Sequence, residues 1–212
     1  MSRRHRHPLA ARLFAREVGH IDTLGAATHR RQLLDGVAGN VLEIGAGTGI
    51  SFNNYLPGAV VDLVAVEPEP YLRERAALAA TAAPIPVSVV DATAERLPFG
   101  DATFDVAVAA RVLCSVHDLA TSLNELHRVL RSGGELRFYE HVASSDPGLA
   151  RWQRALDLVW PRIAGGCHAS RDTARAIADA GFAIEICDRF TFRPCIFATP
   201  TSPYILGRAR RA

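Results

Sequence analysis

The sequence predicts an α/β fold built on a mostly parallel sheet. Three observations carry this. Short apolar runs alternate with helical patterns through the middle of the chain. A glycine-rich loop follows the first of those runs. A Ser-Gly-Gly turn closes one helix and opens the next strand. Strands separated by helices need crossover connections, which run right-handed and leave the strands parallel.

Residues 1–8 read as a disordered arm, and residues 9–212 as one domain. Two helical stretches come first, Leu9–Val18 and Asp22–Leu34. In the second, Leu24, Thr28, Arg31 and Leu34 give part of an apolar stripe. Five strands follow: Asn40–Ile44, Val60–Val66, Val87–Val90, Phe104–Ala109 and Glu135–Tyr139. They are short, apolar and rich in β-branched residues, as strands buried on both faces are. The helices Tyr71–Ala80, Leu119–Leu130 and Arg171–Ala180 complete the alternation. Arg131-Ser132-Gly133-Gly134 is the turn, with glycine supplying a positive φ. After Tyr139 the pattern relaxes. Leu149–Trp160 reads as an extra amphipathic helix ended by Pro161, and Gly165-Gly166 breaks the chain. Phe182–Phe190 and Tyr204–Arg208 are the final strands. Residues 143–170 and 190–203 are expected to cover a ligand pocket.

Composition removes several chemistries. All 24 basic residues are arginine. That excludes a Schiff-base lysine and the lysine of a GxxxxGK[ST] phosphate loop. The formal charge is +2, and six arginines sit at the ends: Arg3, Arg4, Arg6, Arg208, Arg210 and Arg211. The basic excess forms no helix face, so no nucleic-acid partner is expected. No run of about 20 apolar residues exists, so no membrane span is expected. The arginine-histidine start lacks the apolar core of a secretory signal, which points to the cytoplasm. Cys114, Cys167, Cys187 and Cys195 form no CxxC pair, so no metal site is expected. Cys114 and Cys167 read as small packing residues. A Cys187–Cys195 bridge would not persist in a reducing compartment.

The first strand runs into Glu43-Ile44-Gly45-Ala46-Gly47-Thr48-Gly49. Glycines there allow a tight turn and close ligand approach, at the strand end where open α/β sheets bind ligands. The spacing is not the G-x-G-x-x-G of a dinucleotide site, because the third glycine comes one residue early. Glu43 would repel a pyrophosphate but attract the ammonium and sulfonium of S-adenosylmethionine. Glu67, followed by Pro68, ends the second strand and can accept both ribose hydroxyls. Asp91-Ala92 follows the third strand and can meet an adenine edge. The other role open to Asp91 is capping the short turn at Thr93–Arg96.

These segments resemble the class I S-adenosylmethionine-dependent methyltransferases. Glu43–Gly49 is similar to their first motif, Glu67 to their ribose-binding acid and Asp91-Ala92 to their adenine-binding pair. Ala94–Phe99 with Phe104-Asp105 resembles the ubiquinone/menaquinone-type branch. Leu126–Gly134 resembles its R-x-L-[KR]-P-G-G segment, with Ser132 in place of proline. A narrower resemblance lies in Arg111–Val116, Tyr139–Val142, Trp152 to Trp160 and Gly166-Cys167. It is to the methyltransferase-like thiol S-methyltransferases. The animal members carry a hydrophobic anchor, which the polar arm here does not match.

The resemblance implies a Rossmann-like sandwich with a seven-stranded, mostly parallel sheet and an antiparallel final strand. It implies S-adenosylmethionine as cofactor, held by Glu43, Gly45, Ala46, Gly47, Gly49, Glu67, Pro68, Asp91, Ala92, Ala110 and Arg111. Methyl transfer is an in-line displacement with a neutral leaving group, so alignment and water exclusion dominate. His141, with Glu140 as partner, and His117 are the candidate bases, since both follow strand ends on the ligand side. Trp152, Trp160, Phe190, Phe192 and Phe197 suggest an apolar acceptor pocket. A small lipophilic thiol is the expected acceptor, with a phenol or quinone precursor as the alternative. A NAD-dependent oxidoreductase and a non-catalytic cofactor-binding protein are the competing classes.

Overall fold

The computed structural model describes residues 8–193 and 200–212. Seven strands form one sheet in the order β3-β2-β1-β4-β5-β7-β6. They are β1 (Gly39–Ile44), β2 (Val60–Val66), β3 (Val87–Val90), β4 (Phe104–Ala110), β5 (Leu130–His141), β6 (Phe182–Thr191) and β7 (Pro203–Arg211). The first five run parallel, and β7 is antiparallel to both β5 and β6. The expected fold class is thus the observed one. The chain winds outward through β2 and β3, then crosses back beyond β1 to β4. The β1/β4 boundary is therefore the topological switch point, where such sheets take ligands.

Alternation along the strands sends side chains to two cores. Leu42, Ile44, Ala107, Ala109, Leu136 and Phe138 face helices α4 (Leu119–Val129) and α7 (Thr173–Asp179). Val41, Leu63, Ala65, Val106 and Val108 face α2 (Ala27–Leu34) and α3 (Pro70–Ala80). Asp118 caps α4 by accepting from the Thr121 N–H at 3.0 Å, and Glu69 caps α3 by accepting from Tyr71 at 2.7 Å. Pro70 in the first turn of α3 loses no helical hydrogen bond.

Three local expectations are corrected. The stretch read as one helix over 22–34 is broken: Gly25 has φ +122° and a π-helical turn spans Asp22–Ala26. The preceding helix, α1, runs Pro8–Ile21. The extra helix α5 spans Pro147–Leu156, and Pro161 does not end it. Pro161 sits in the first turn of a separate short helix, α6 (Trp160–Ile163), where its missing N–H is harmless. The break falls at Asp157, whose carboxylate accepts from the Ala169 N–H at 2.6 Å and the Ser170 N–H at 3.1 Å. Of the arm expected over residues 1–8, Pro8 instead begins α1 and residues 1–7 lie outside the described residues, as do Cys195 and Phe197.

The terminal arginines on β7 are engaged within the sheet. Arg208 and Arg210 pair with Glu185 at 3.1 and 2.7 Å, and Arg210 also meets Glu135 at 3.1 Å.

Candidate active site

Gly45, Gly47 and Gly49 turn the chain away from β1 with φ of +61°, +59° and +76°. The loop is also tightly enclosed. A Cβ on Gly45 would lie 2.3 Å from Val112 Cγ2, and one on Gly49 2.6 Å from the Phe52 ring. Behind the loop, Glu43 is buried and accepts from the Tyr55 hydroxyl at 2.8 Å. Burial pushes its carboxyl up to about 7, against hydrogen bonds from Tyr55 and Ser51 and the positive charge of Arg30.

Glu67 joins the loop to β2. Its Oε2 accepts from the Gly47 N–H at 2.8 Å and its Oε1 from the Glu69 N–H at 2.9 Å. Burial raises it to about 7, although those two amides favour the charged form. Two amides leave lone pairs on the carboxylate for ribose hydroxyls. Arg73 donates to the carbonyls of Glu67 and Pro68, each at 3.0 Å, and pairs with Asp91 at 3.0 Å. The ends of β1, β2 and β3 are thereby tied into one rim. The Asp91 side chain is 46% exposed on that rim, beside the half-buried Ala92. Among the described hydrogen bonds it caps nothing, since the 93–96 turn closes through its own backbone.

Inside the rim lies a recess open to solvent. Glu43, Gly45, Ala46, Gly47, Ala110 and Arg111, all candidates from the sequence, line it together with Phe14, Arg30 and Tyr139. Gly49, Glu67, Pro68, Asp91 and Ala92 flank it instead. Arg111 is held at φ +59°, a conformation that costs a non-glycine residue about 1–3 kcal/mol. Its N–H donates to the Tyr139 carbonyl at 2.7 Å, which anchors the strained residue to β5. Its guanidinium stands 5.9 Å from the centre of the Phe14 ring.

Beyond Arg111 the acceptor side differs from expectation. Glu140 is not a partner of His141, because neighbouring residues on a strand point to opposite faces. It is fully buried and accepts from the N–H groups of Val112, Leu113 and Cys114 at 2.9, 2.9 and 3.2 Å. Burial pushes its carboxyl well above the usual range. The buried His141 instead places Nε2 2.8 Å from Cys167 Sγ, with Cys114 adjacent. Contact with Cys167, then burial, pushes the Cys114 thiol up to about 12, while the same contact holds Cys167 below its ordinary value. His117 is exposed next to the α4 cap, its N–H donating to Glu95 at 2.8 Å, and it does not reach the recess. Trp152 is 48% exposed and is not among the residues lining this recess, whereas Phe190 and Phe192 pack around His29.

Some of these groups leave no sequence signal. Tyr55 and Phe14 act through contacts between distant segments. Glu69 did leave one: an acid before a proline at a helix start.

The residues fit S-adenosylmethionine. A bare glycine turn admits a ligand, a buried carboxyl suits its cationic end, and the carboxylates of Glu67 and Asp91 on the rim can accept from its hydroxyl and amino groups. The fold and site define a class I S-adenosylmethionine-dependent methyltransferase. A methyltransferase-domain family model matches residues 42–138. The rat thiol S-methyltransferase TMT1B is 36% identical over 174 residues, 80% of this chain and 69% of that protein. The ubiquinone/menaquinone biosynthesis C-methyltransferase UbiE of Roseobacter denitrificans is 34% identical over 153 residues, 66% of this chain and 58% of that protein. Geranyl diphosphate C-methyltransferase from Streptomyces coelicolor, solved with S-adenosyl-L-homocysteine, superposes with a TM-score of 0.66 at 15% identity, covering 88% of this chain and 77% of that one. The chain belongs to the methyltransferase family that includes the TMT1-type thiol S-methyltransferases.

Proposed function

We propose that this methyltransferase S-methylates a small lipophilic thiol in the cytoplasm. The observation that carries the reading is the 36% identity to the rat thiol S-methyltransferase over 80% of this chain. The free thiols of Cys114, Cys167 and Cys187 suit a reducing compartment. No described helix is long and apolar enough to cross a membrane.

When bound, S-adenosylmethionine supplies an electrophilic methyl group on a sulfonium with a neutral leaving group. Glu43 faces the cationic end of the recess, and Glu67 and Asp91 take the ribose and adenine. Arg111 and Tyr139 border the methionine part. A thiol reacts as thiolate, and the positive charge of Arg111 favours that form. His141 orients the acceptor, and His117 takes no part.

A methyl-transfer screen over alkyl thiols, hydrogen sulfide, phenols and quinone precursors tests the reading. Methylated alkyl thiols are expected. Activity on phenols alone would reject the thiol. A quinone-precursor acceptor is the second reading, favoured by the UbiE similarity. Cofactor binding without turnover on any acceptor would reject catalysis.

A further inference from the structure

We propose that Cys114, His141 and Cys167 form a zinc-binding site whose fourth position is open to an acceptor thiol. The second half of this rests on the thiol reading above; the first half does not.

The three residues come from separate segments. Cys114 follows β4, His141 ends β5, and Cys167 lies between α6 and α7. Their ligand atoms nonetheless all lie within 4.8 Å of one another. Tetrahedral zinc, with bonds of about 2.0–2.3 Å, places sulfur and nitrogen ligands about 3.5–3.8 Å apart. Side-chain adjustments of about 1 Å therefore reach coordination geometry.

Bonds outside the cluster hold each ligand-bearing segment. Glu140 fixes the amides of Val112, Leu113 and Cys114. The Cys114 carbonyl accepts from the His168 N–H at 2.9 Å, which ties the Cys167 loop to the Cys114 loop. Arg171 donates to the carbonyls of Leu113 and Val116 at 2.6 and 2.7 Å. Asp157 grips Ala169 and Ser170 just past Cys167. Gly166, at φ +90°, lets that loop approach: a Cβ there would lie 3.0 Å from the Ser115 carbonyl. The arrangement is thus organised before any ion arrives.

The donor set selects the metal. Two thiolates and an imidazole favour zinc over magnesium or calcium, which prefer oxygen. Two thiolates also neutralise the dication, so the loaded site carries no net charge into its buried surroundings. Structural zinc sites close with four protein ligands, and three leave a position for substrate. Among the described residues the cluster has three. The half-buried Cys167 marks its accessible side. Arg111 and Tyr139 line the cofactor recess, and Cys114 and His141 lie three and two positions further along the same segments.

A thiol taking the fourth position releases its proton to solvent and is held as thiolate. Its sulfur then forms the new S–C bond as the methyl–sulfonium bond breaks. The electron pair of the broken bond stays on the departing sulfur, which becomes a neutral thioether.

The test is elemental analysis of the full chain purified without chelator, and of Cys114→Ser/Cys167→Ser. About one zinc per chain is expected, falling to background in the double variant. Circular dichroism and S-adenosylmethionine calorimetry check that the variant is folded. If it is not, His141→Gln serves, judged on the cobalt form. Cobalt-substituted wild type should show intense tetrahedral bands that change when an alkanethiol is added. Negligible zinc together with no cobalt uptake by the reduced protein would overturn the site, as would zinc retained in a folded double variant. Full thiol methylation by metal-free protein would overturn the thiol-binding half while leaving the thiol reading intact. Stoichiometric zinc with no spectral response to alkanethiols and no thiol methylation would keep the site and sink its thiol-binding half together with that reading.

Discussion

The two halves of the ligand edge are built in opposite ways. Over β1 to β3 each group follows directly from a strand: the glycine loop after β1, Glu67 after β2, Asp91 after β3. Over β4 and β5 the edge is assembled across the fold. Glu140 organises a loop 26 to 28 residues away, and His141 meets Cys167 26 residues on. In the proposed function the first half takes the cofactor and the second the acceptor; the first is made by local turns and the second by contacts between distant segments. Variants should therefore separate the two: cofactor-side changes should weaken S-adenosylmethionine binding, and acceptor-side changes should spare it.

The largest effect is expected from Gly45→Val. The left-handed backbone costs a side chain about 1–2 kcal/mol. Collision with Val112 adds overpacking of about 1–3 kcal/mol. Calorimetry should find cofactor binding weakened by at least about 30-fold, with the fold retained by circular dichroism. Undiminished binding would mean that the loop is not the cradle.

Glu43→Gln comes next. Glutamine can still accept from Tyr55, so what is lost is charge toward the cationic cofactor. A hydrogen bond to a charged group contributes about 1.5–3 kcal/mol, so affinity should fall about 10- to 100-fold. Wild-type binding should also depend on pH. Glu43 and Glu67 both sit at about 7 in the folded chain, above their ordinary 4.5. Between these values the folded chain keeps protons that the unfolded chain releases. The stability this gives the cofactor-free protein is present in full below pH 4.5 and is lost as pH rises to about 7. A cationic ligand reverses the preference and expels protons, so its affinity should climb between about pH 6 and 8. Calorimetry in buffers of different ionisation enthalpy would detect the released proton. In Glu43→Gln the release should shrink.

This asymmetry also explains what could be read in the sequence. The sheet was legible because its strands are short and mostly apolar: Val60–Val66 and Val87–Val90 run as expected. The glycine-loop candidates were legible because Glu43 to Gly49 is one continuous segment, running from the end of β1 into the turn. Cys114, His141 and Cys167 were each noticed, but spacings of 27 and 26 residues carry no sign of convergence. The pairing of Glu140 with His141 failed because adjacency along a strand means opposite faces. Pro161 misled because proline both ends helices and begins them, and the deciding contact, Asp157 to the 169–170 amides, is tertiary.

Asp157→Ala tests the assembled half. Losing the acceptor for Ala169 and Ser170 leaves partly buried amides unpaired, at about 1–3 kcal/mol. The loop carrying Cys167 should loosen. KM for the acceptor should rise about tenfold, with the dissociation constant of S-adenosylmethionine within about twofold of wild type. Equal losses on both sides would show that the halves are coupled.

The smallest effect, at His117→Ala, sharpens the boundary between them. His117 is exposed, and its hydrogen bond to Glu95 comes from the backbone N–H, which alanine keeps. The Asp118 cap on α4 is likewise untouched, because its partner is the Thr121 amide. Surface substitutions of this kind shift stability by no more than about 0.5 kcal/mol, so kcat/KM should stay within about twofold. At His141, which lies among Cys114 and Cys167, Gln should instead abolish most acceptor turnover while cofactor affinity persists. A tenfold or greater loss at His117 would move the acceptor edge outward to the start of α4. It would place the reacting thiol beside the start of α4 and away from the cysteine-histidine cluster.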